Sequence, residues 1–370
     1  MSSTSSRDVS PPPLKRRKRS PPEHTSCADA SESPIAILPA QAQAGRHALR
    51  IFSWNINGIT PFLPPTTPKI TTFLKQPPKT QTPPQPSLRN CCRRWSWPHI
   101  VCLQEVKIAH TDTKTQAAVS RHINHPVDPQ DEDDAQRHLY EPHFCLPTDK
   151  HNATGFGGKV HGVCTLVRKD LEKNVHIKRV AWDLEGRVLI AELAAQGLVI
   201  MNVYAVNGTT YDYRDSTTGK VIGTRHDRKR QFHTLLADEV RGYEAKGWGV
   251  VVIGDINISR TVIDSFPQLR MGKEHVENRA DFERKFMHAR EEGALGMCDT
   301  FRYDRGEERK YSYRPTNKPW GEGGDRVDMG LVTMGLVGRV EGADILDEEM
   351  ERGTSDHVPL YLGLSEVEAE

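Results

Sequence analysis

Val250-Val251-Val252-Ile253-Gly254-Asp255-Ile256-Asn257 runs four apolar residues into an acid and an amide. Three consecutive valines and an isoleucine read as a short, fully buried strand. The carboxylate and amide behind it have no packing role. Four further stretches repeat the arrangement: Trp54-Asn55-Ile56-Asn57, Leu103-Gln104-Glu105, Asp325-Arg326-Val327-Asp328 and Ser355-Asp356-His357. Polar groups gathered at strand ends form a site held on a rigid scaffold. Singly, each has a bland reading as turn chemistry, a cap or a surface acid. Five in one chain, each at a strand boundary, point to one site.

The remaining strands are read at Ile51–Trp54, Ile100–Leu103, Val163–Val167, Val188–Leu193, Leu198–Tyr204, Val327–Val332 and Val358–Leu362. One helix is expected from Asp227 to Lys246, where Phe232, Leu235, Leu236, Val240 and Tyr243 recur at helical spacing and Gly247 supplies the stop. A second is expected from about Asn278 to Glu292, with Phe282 and Phe286 on one face. The mixture predicts two sheets covered by helices.

At 370 residues with 36% hydrophobic content, part of the chain is expected to lie outside the core. Residues 1–49 are Ser/Pro-rich and carry Lys15-Arg16-Arg17-Lys18-Arg19 between prolines. This reads as a disordered basic tail with a nuclear localisation signal for an import receptor, or as a basic arm touching any polyanion. The folded domain is expected over residues 50–364, with a six-residue tail at 365–370. Its polar insertions fall near 61–87, which is Pro/Thr-rich, and 124–138, which is acidic.

A formal charge of +1 rules out reading a nucleic-acid partner from overall charge. Seven cysteines without regular spacing argue against a disulfide framework or a zinc site. Apolar runs are strand-sized, so no membrane span is expected. A reducing interior compartment fits.

The ordered series Ser53-Trp54-Asn55, Leu103-Gln104-Glu105, Gly254-Asp255-Ile256-Asn257, Arg326-Val327-Asp328 and Ser355-Asp356-His357 resembles the signatures of the exonuclease III family of AP endonucleases, within the endonuclease/exonuclease/phosphatase superfamily. Glu185-Gly186-Arg187-Val188, Asn202-Val203-Tyr204-Ala205-Val206-Asn207, Asp299-Thr300-Phe301-Arg302 and Tyr311-Ser312-Tyr313 add to it. The likeness covers about residues 50–364. It departs where the family has Tyr-Val-Pro-Asn and this chain has Tyr204-Ala205-Val206-Asn207, at Tyr311-Ser312-Tyr313-Arg314-Pro315, which lacks a tryptophan, and at Thr209. Leu103-Gln104-Glu105-Val106 is also similar to the tyrosyl-DNA phosphodiesterase branch.

The resemblance implies a deoxyribonuclease-I-like, four-layer α/β sandwich of two mixed sheets flanked by helices. It also implies catalytic roles for Tyr204, Asp255, Asn257, Asp328 and His357. Magnesium, with manganese as substitute, would be held among Asn55, Glu105, Asp255, Asn257, Asp356 and His357. Asn207, Arg270 and Lys273 would meet substrate, alongside the basic helix start Arg228-Lys229-Arg230, or these basic residues are ordinary solvated surface. The implied activity is hydrolysis of double-stranded DNA 5′ to abasic sites by a nuclear monomer, with 3′-end trimming. The alternatives are action on a 3′ end, a tyrosyl-DNA adduct or RNA, and a catalytically silent nucleic-acid-binding module.

Overall fold

The computed structural model describes residues 48–63, 87–128, 131–153, 155, 159–288 and 293–365. The basic run Lys15–Arg19, most of the Pro/Thr-rich insertion and the last five residues lie outside that set.

Strands β1 (Ala48–Asn55), β2 (Ile100–Gln104), β3 (Tyr140–Cys145), β4 (Val163–Arg168), β15 (Val340–Ile345) and β16 (Leu360–Ser365) form one six-stranded sheet in the order β15-β16-β1-β2-β4-β3. The second contains β5 (Val175–Arg179), β6 (Val188–Leu193), β7 (Leu198–Tyr204), β10 (Gly249–Asp255), β12 (Cys298–Asp299) and β14 (Asp328–Val332), ordered β12-β14-β10-β7-β6-β5. Both sheets are mixed: β1 pairs parallel with β2 and β7 with β10, while the other neighbours are antiparallel. Two antiparallel two-stranded pairs complete the set: the hairpin of β8 (Asp212–Arg214) with β9 (Val221–Thr224), and β11 (Ser265–Phe266) with β13 (Gly324–Asp325).

Strand alternation builds the layers. Leu49, Ile51, Val251, Ile253 and Leu362 meet in the apolar layer between the sheets. Their neighbours Phe52 and Trp54 face outward to Trp95, Val119 and Ile123 of the helical segments. Val250 and Val252 face the opposite helices through Phe232, Leu236 and Val240. Strand β10 is thus covered on both faces, which explains its unbroken apolar run. Gly254 permits close packing of β10 on β7: a Cβ there would lie 2.0 Å from the Val203 carbonyl oxygen, and its φ is +142°.

Helices α1 (Leu88–Arg94), α2 (Thr113–Asn124) and α3 (Glu132–Arg137) lie on the β1 side of the chain order. The acidic insertion is partly helical, and its Asp131 is fully buried in a paired bond to Arg89 at 2.6 and 2.9 Å. A lone charge at that depth would cost several kcal/mol, so the pair makes burial tolerable.

The main helix, α4 (Arg225–Glu244), begins two residues before the sequence reading, because Thr224 and Asp227 form a reciprocal capping box. The next helix, α5 (Lys273–Phe282), starts five residues early and passes into a π-turn at Glu283–Met287. Phe282 and Phe286 still stack at 4.9 Å. Residues 289–292 of the expected helix lie outside the described set. The last strand is displaced to Leu360–Ser365, because Ser355–Val358 are held in the site instead.

Candidate active site

Five strands deliver the expected residues to one end of the sheets. Asn55 ends β1, Glu105 follows β2, Tyr204 ends β7, Asp255 ends β10 and Asp328 opens β14. Loop ends are tied across strands: Ile56 N donates to Gln104 O, Ala205 N to Asp255 O and Ile256 N to Val327 O. The Ser355-Asp356-His357 segment joins through side chains. Ser355 Oγ donates to Asn55 O at 2.7 Å, and Trp54 Nε1 donates to His357 O at 2.9 Å. Ser312 Oγ receives the backbone N–H groups of Val327 and Asp328.

His357 Nδ1 lies 2.7 Å from Asp328 Oδ2, with both residues buried. Burial alone would push the imidazole down. The charges of Asp328, which also bonds it, and Asp255 outweigh this and raise it to about 10. Asp255 is pushed the other way from a free carboxyl, up to about 7, by burial and by the neighbouring Asp328 charge. Burial also acts on Glu105, but Lys107, 3.0 Å away, and hydrogen bonds from Tyr204 and Asn55 hold its carboxyl at about 2. The Asn55 amide spans the two acids, donating to Glu105 Oε1 at 3.1 Å and to Asp255 Oδ2 at 3.0 Å.

A cleft of about 230 Å³ opens onto these groups. Its lining includes Glu105, Tyr204, Asn207, Asp255, Asn257, Arg270, Asp356 and His357. Asn55 and Asp328 stand behind the lining and bond to residues in it. Lys273 is different: it is 81% exposed, pairs loosely with Glu277 and does not line the cleft. Arg270 does line it, and reaches Asp325 at 3.2 Å.

The helix start is not exposed surface as the sequence alone allowed. Arg228 and Lys229 are buried. Arg228 binds Glu185, and Lys229 donates to Val206 O and Asn257 O. Burial lowers Lys229 to about 7.

Sequence reasoning gave no role to several participants. Asn57 donates to Asp356 Oδ1 at 2.8 Å and receives Lys107. Tyr313 packs edge-on against His357. Arg187, fully buried, lies 4.8 Å from the Tyr204 ring centroid and bonds Glu185 and the Tyr204 carbonyl. The available signal was local: Asn57 and Lys107 each lie two residues from a quoted site residue. Asn57, Glu105, Lys107 and Asn257 all have φ between 49° and 56°. Non-glycine residues in this region concentrate where surrounding structure over-determines them.

The donor set suits a hard divalent cation. Carboxylate and amide oxygens of Glu105, Asp255, Asn257 and Asp356 face one cleft, and an Asp328 carboxylate oxygen lies within 4.8 Å of one of Asp255. Asp328 Oδ1 is buried without a hydrogen-bond partner among the described residues.

Two mixed sheets between helical layers, with polar strand ends converging on one cleft, define a deoxyribonuclease-I-like α/β sandwich. The chain belongs to the endonuclease/exonuclease/phosphatase family, which it matches over residues 52–328. It is similar to DNA-(apurinic or apyrimidinic site) endonuclease 2 of Saccharomyces cerevisiae, with 25% identity over 265 residues, covering 60% of this chain and 46% of that protein. The chain thus matches about half the length of that relative.

Among solved structures, the catalytic domain of Xenopus laevis APE2 superposes with a TM-score of 0.56 at 17% identity, covering 87% of this chain and 94% of that one. An AP endonuclease from Archaeoglobus fulgidus gives 0.53 at 17% identity, covering 86% and 100%. At these identities the structural matches establish the fold.

The raised Asp255 carboxyl has a consequence for stability. Because its folded value lies above the unfolded one, its ionisation destabilises the fold as pH rises from about 4 to about 7. In chelator, Asp255→Asn is therefore expected to stabilise the protein at pH 8 by about 1–4 kcal/mol, with the gain vanishing near pH 4. Urea denaturation at both pH values measures this; destabilisation at pH 8 contradicts it.

Proposed function

We propose that this protein is a divalent-metal-dependent DNA phosphodiesterase that hydrolyses the backbone 5′ to abasic sites and leaves a 3′ hydroxyl. The observation carrying this reading is the convergence of Glu105, Asp255 and the His357–Asp328 pair on one cleft. A catalytically silent binding module has no use for a buried, charged imidazole beside a carboxylate raised towards neutrality. The abasic substrate is supported by the similarity to the yeast protein.

The chemistry follows from charge. A phosphodiester is anionic, so hydrolysis needs positive charge placed in advance around the reacting phosphorus. His357, kept as imidazolium by Asp328, donates to a phosphate oxygen and stabilises the crowded transition state. Asp255, held by Asn55 and by the backbone N–H of Asn257 at 2.9 Å, aims and deprotonates the attacking water.

Asn257, whose amide donates to Ala205 O and Asp255, positions the phosphate side of the cleft. Tyr204, over the buried Arg187 guanidinium, faces the leaving oxygen, with Asn207 supporting that side. Arg270 supplies substrate charge at the rim.

Magnesium, or manganese in its place, would be held by Glu105 and the neighbouring oxygens of Asn55, Asp255, Asn257 and Asp356, and would neutralise charge on the phosphate and the departing 3′ oxygen. His357 serves there as a charged donor rather than a ligand, since an imidazolium has no free lone pair. The protein acts as a monomer.

The test is incubation of purified protein with a duplex carrying one abasic analogue, with and without magnesium. Incision 5′ to the analogue is expected with magnesium or manganese and not in excess chelator. Glu105→Gln should raise the metal requirement, and His357→Ala should slow single-turnover incision by roughly 10²–10³-fold. Full activity in chelator, or a near wild-type rate for His357→Ala, contradicts the mechanism.

Nuclear action is part of the same reading, resting on Lys15–Arg19 as an import signal. A fluorescent fusion lacking residues 1–44 should lose nuclear accumulation. Undiminished accumulation overturns this placement.

A further inference from the structure

The β8–β9 hairpin leaves the cleft directly. Asn207 and Gly208 line the cleft, and three residues later Tyr211 is 77% exposed. The returning strand exposes Val221 at 51% and Ile222 at 59%. Register explains Ile222: Tyr213 pairs with Gly223 and Arg214 with Val221, so Ile222 is the extra, unpaired residue of a bulge. Bulges of this kind re-aim a side chain, often beside active sites.

The mounting beneath these side chains is rigid. Tyr213 lies under the guanidinium groups of Arg225 and Arg228, at 5.5 and 5.2 Å from its ring centroid. Arg214 N donates to Asn152 Oδ1 at 2.9 Å, and Asn152 Nδ2 returns a bond to Arg214 O at 2.7 Å. The capping box at Thr224 and Asp227 fixes the exit into α4. Exposed apolar groups on a fixed mount are preorganised for contact rather than left over from packing.

Asn152 also joins the hairpin to a second feature, an open groove of about 350 Å³. It is lined by Ala109, His110, Thr111, Thr148, Asp149 and Lys150. The Asp149 carboxylate is turned inward, accepting from His151 N, Asn152 N and Asn152 Nδ2. The exposed residues of the groove are therefore Lys150, His110, Thr111 and Thr148. Its wall at Ala109–Thr111 begins four residues after Glu105, which lines the cleft, so the chain runs from cleft to groove on this side as well. Lys220 adds an exposed cation on the hairpin.

We propose that the hairpin and this groove hold an unpaired stretch of DNA strand beside the scissile phosphate, with Tyr211 and Ile222 against base faces and Lys150 on the backbone. The proposal deepens the reading above by specifying a substrate with single-stranded DNA next to the cleavage site. An intact duplex offers phosphates and groove edges at its surface, whereas rigid apolar and aromatic side chains need the faces of unstacked bases. The exposed ammonium groups of Lys150 and Lys220 beside them match the backbone of the same strand.

The test reads equilibrium binding by fluorescence anisotropy in chelator, so it stands even if the protein does not incise abasic DNA. Full-length protein is titrated with a blunt abasic duplex and with the same duplex carrying a short single-stranded gap beside the analogue. Wild type is expected to bind the gapped form roughly tenfold more tightly, within the range that stacking on one base provides. Tyr211→Ala with Ile222→Ala should remove that gain and leave blunt-duplex affinity unchanged. Tyr211→Phe, which keeps the ring, should retain it. Lys150→Ala should lower the salt dependence on the gapped form by about one phosphate contact.

Equal wild-type affinity for the two duplexes overturns the proposal, as does a double variant that keeps the preference. Sedimentation that shows the double substitution dissolving a dimer instead would identify the patch as a protein interface and also overturns it.

Discussion

The buried hydrogen bond between His357 and Asp328 is the constraint on which the rest of the structure depends. It places an imidazolium and a carboxylate together where water is excluded, at 2.7 Å. Removing one partner of such a pair typically costs about 3–5 kcal/mol, because the survivor is left buried and unpaired. The fold therefore has to present both partners at once, from strand β14 and from the loop before β16, which belong to different sheets. Ser312 joins them, taking the Asp328 N–H on its hydroxyl and the Val358 N–H on its carbonyl. The apolar layer between the sheets fixes the distance, and the polar pair fixes the register at its end.

A second buried network couples the sheets just behind the site. Gln104 donates to Ser53 Oγ and Asn202 Oδ1, and Asn202 donates to Cys164 O and Thr165 Oγ1. These directional polar contacts across an otherwise apolar layer favour one alignment of the sheets and oppose slippage, although Gln104 Oε1 has no partner among the described residues. Beyond the strand ends the backbone enters left-handed turns at Asn57, Glu105 and Asn257. Each costs about 1–2 kcal/mol relative to ordinary geometry. These turns carry Glu105 and Asn257 into the cleft and Asn57 onto Asp356, so the packed core offsets strain that the chemistry requires.

Much of this was legible in the sequence because buried strands write themselves as apolar runs. Val188–Leu193 and Leu198–Tyr204 matched residue for residue, and the polar groups behind Val250–Ile253 and Ile100–Leu103 arrived at one cleft. Charge inside a fold is harder to read. Arg228 and Lys229 could be read as substrate-facing charge or as solvated helix surface, yet burial and partners distant in sequence, Glu185 and the Asn257 carbonyl, claim them. Asp131, within an acidic run, gave no sign of its pairing with Arg89, 42 residues away. Arg270 and Lys273 were equivalent as loop cations, and only the start of α5 at Lys273 separates one from the cleft. Local patterns specify faces and periods; long-range ion pairs depend on topology.

The central claim is that His357 is a permanent cation at working pH, held so by Asp328 and Asp255. Nitrogen-15 NMR of the histidine side chains, titrated from pH 6 to pH 11 in chelator, measures it directly. The account predicts that both His357 ring nitrogens stay protonated at pH 8 and lose a proton only near pH 10. A neutral His357 ring at pH 8, with one nitrogen bare, would contradict it.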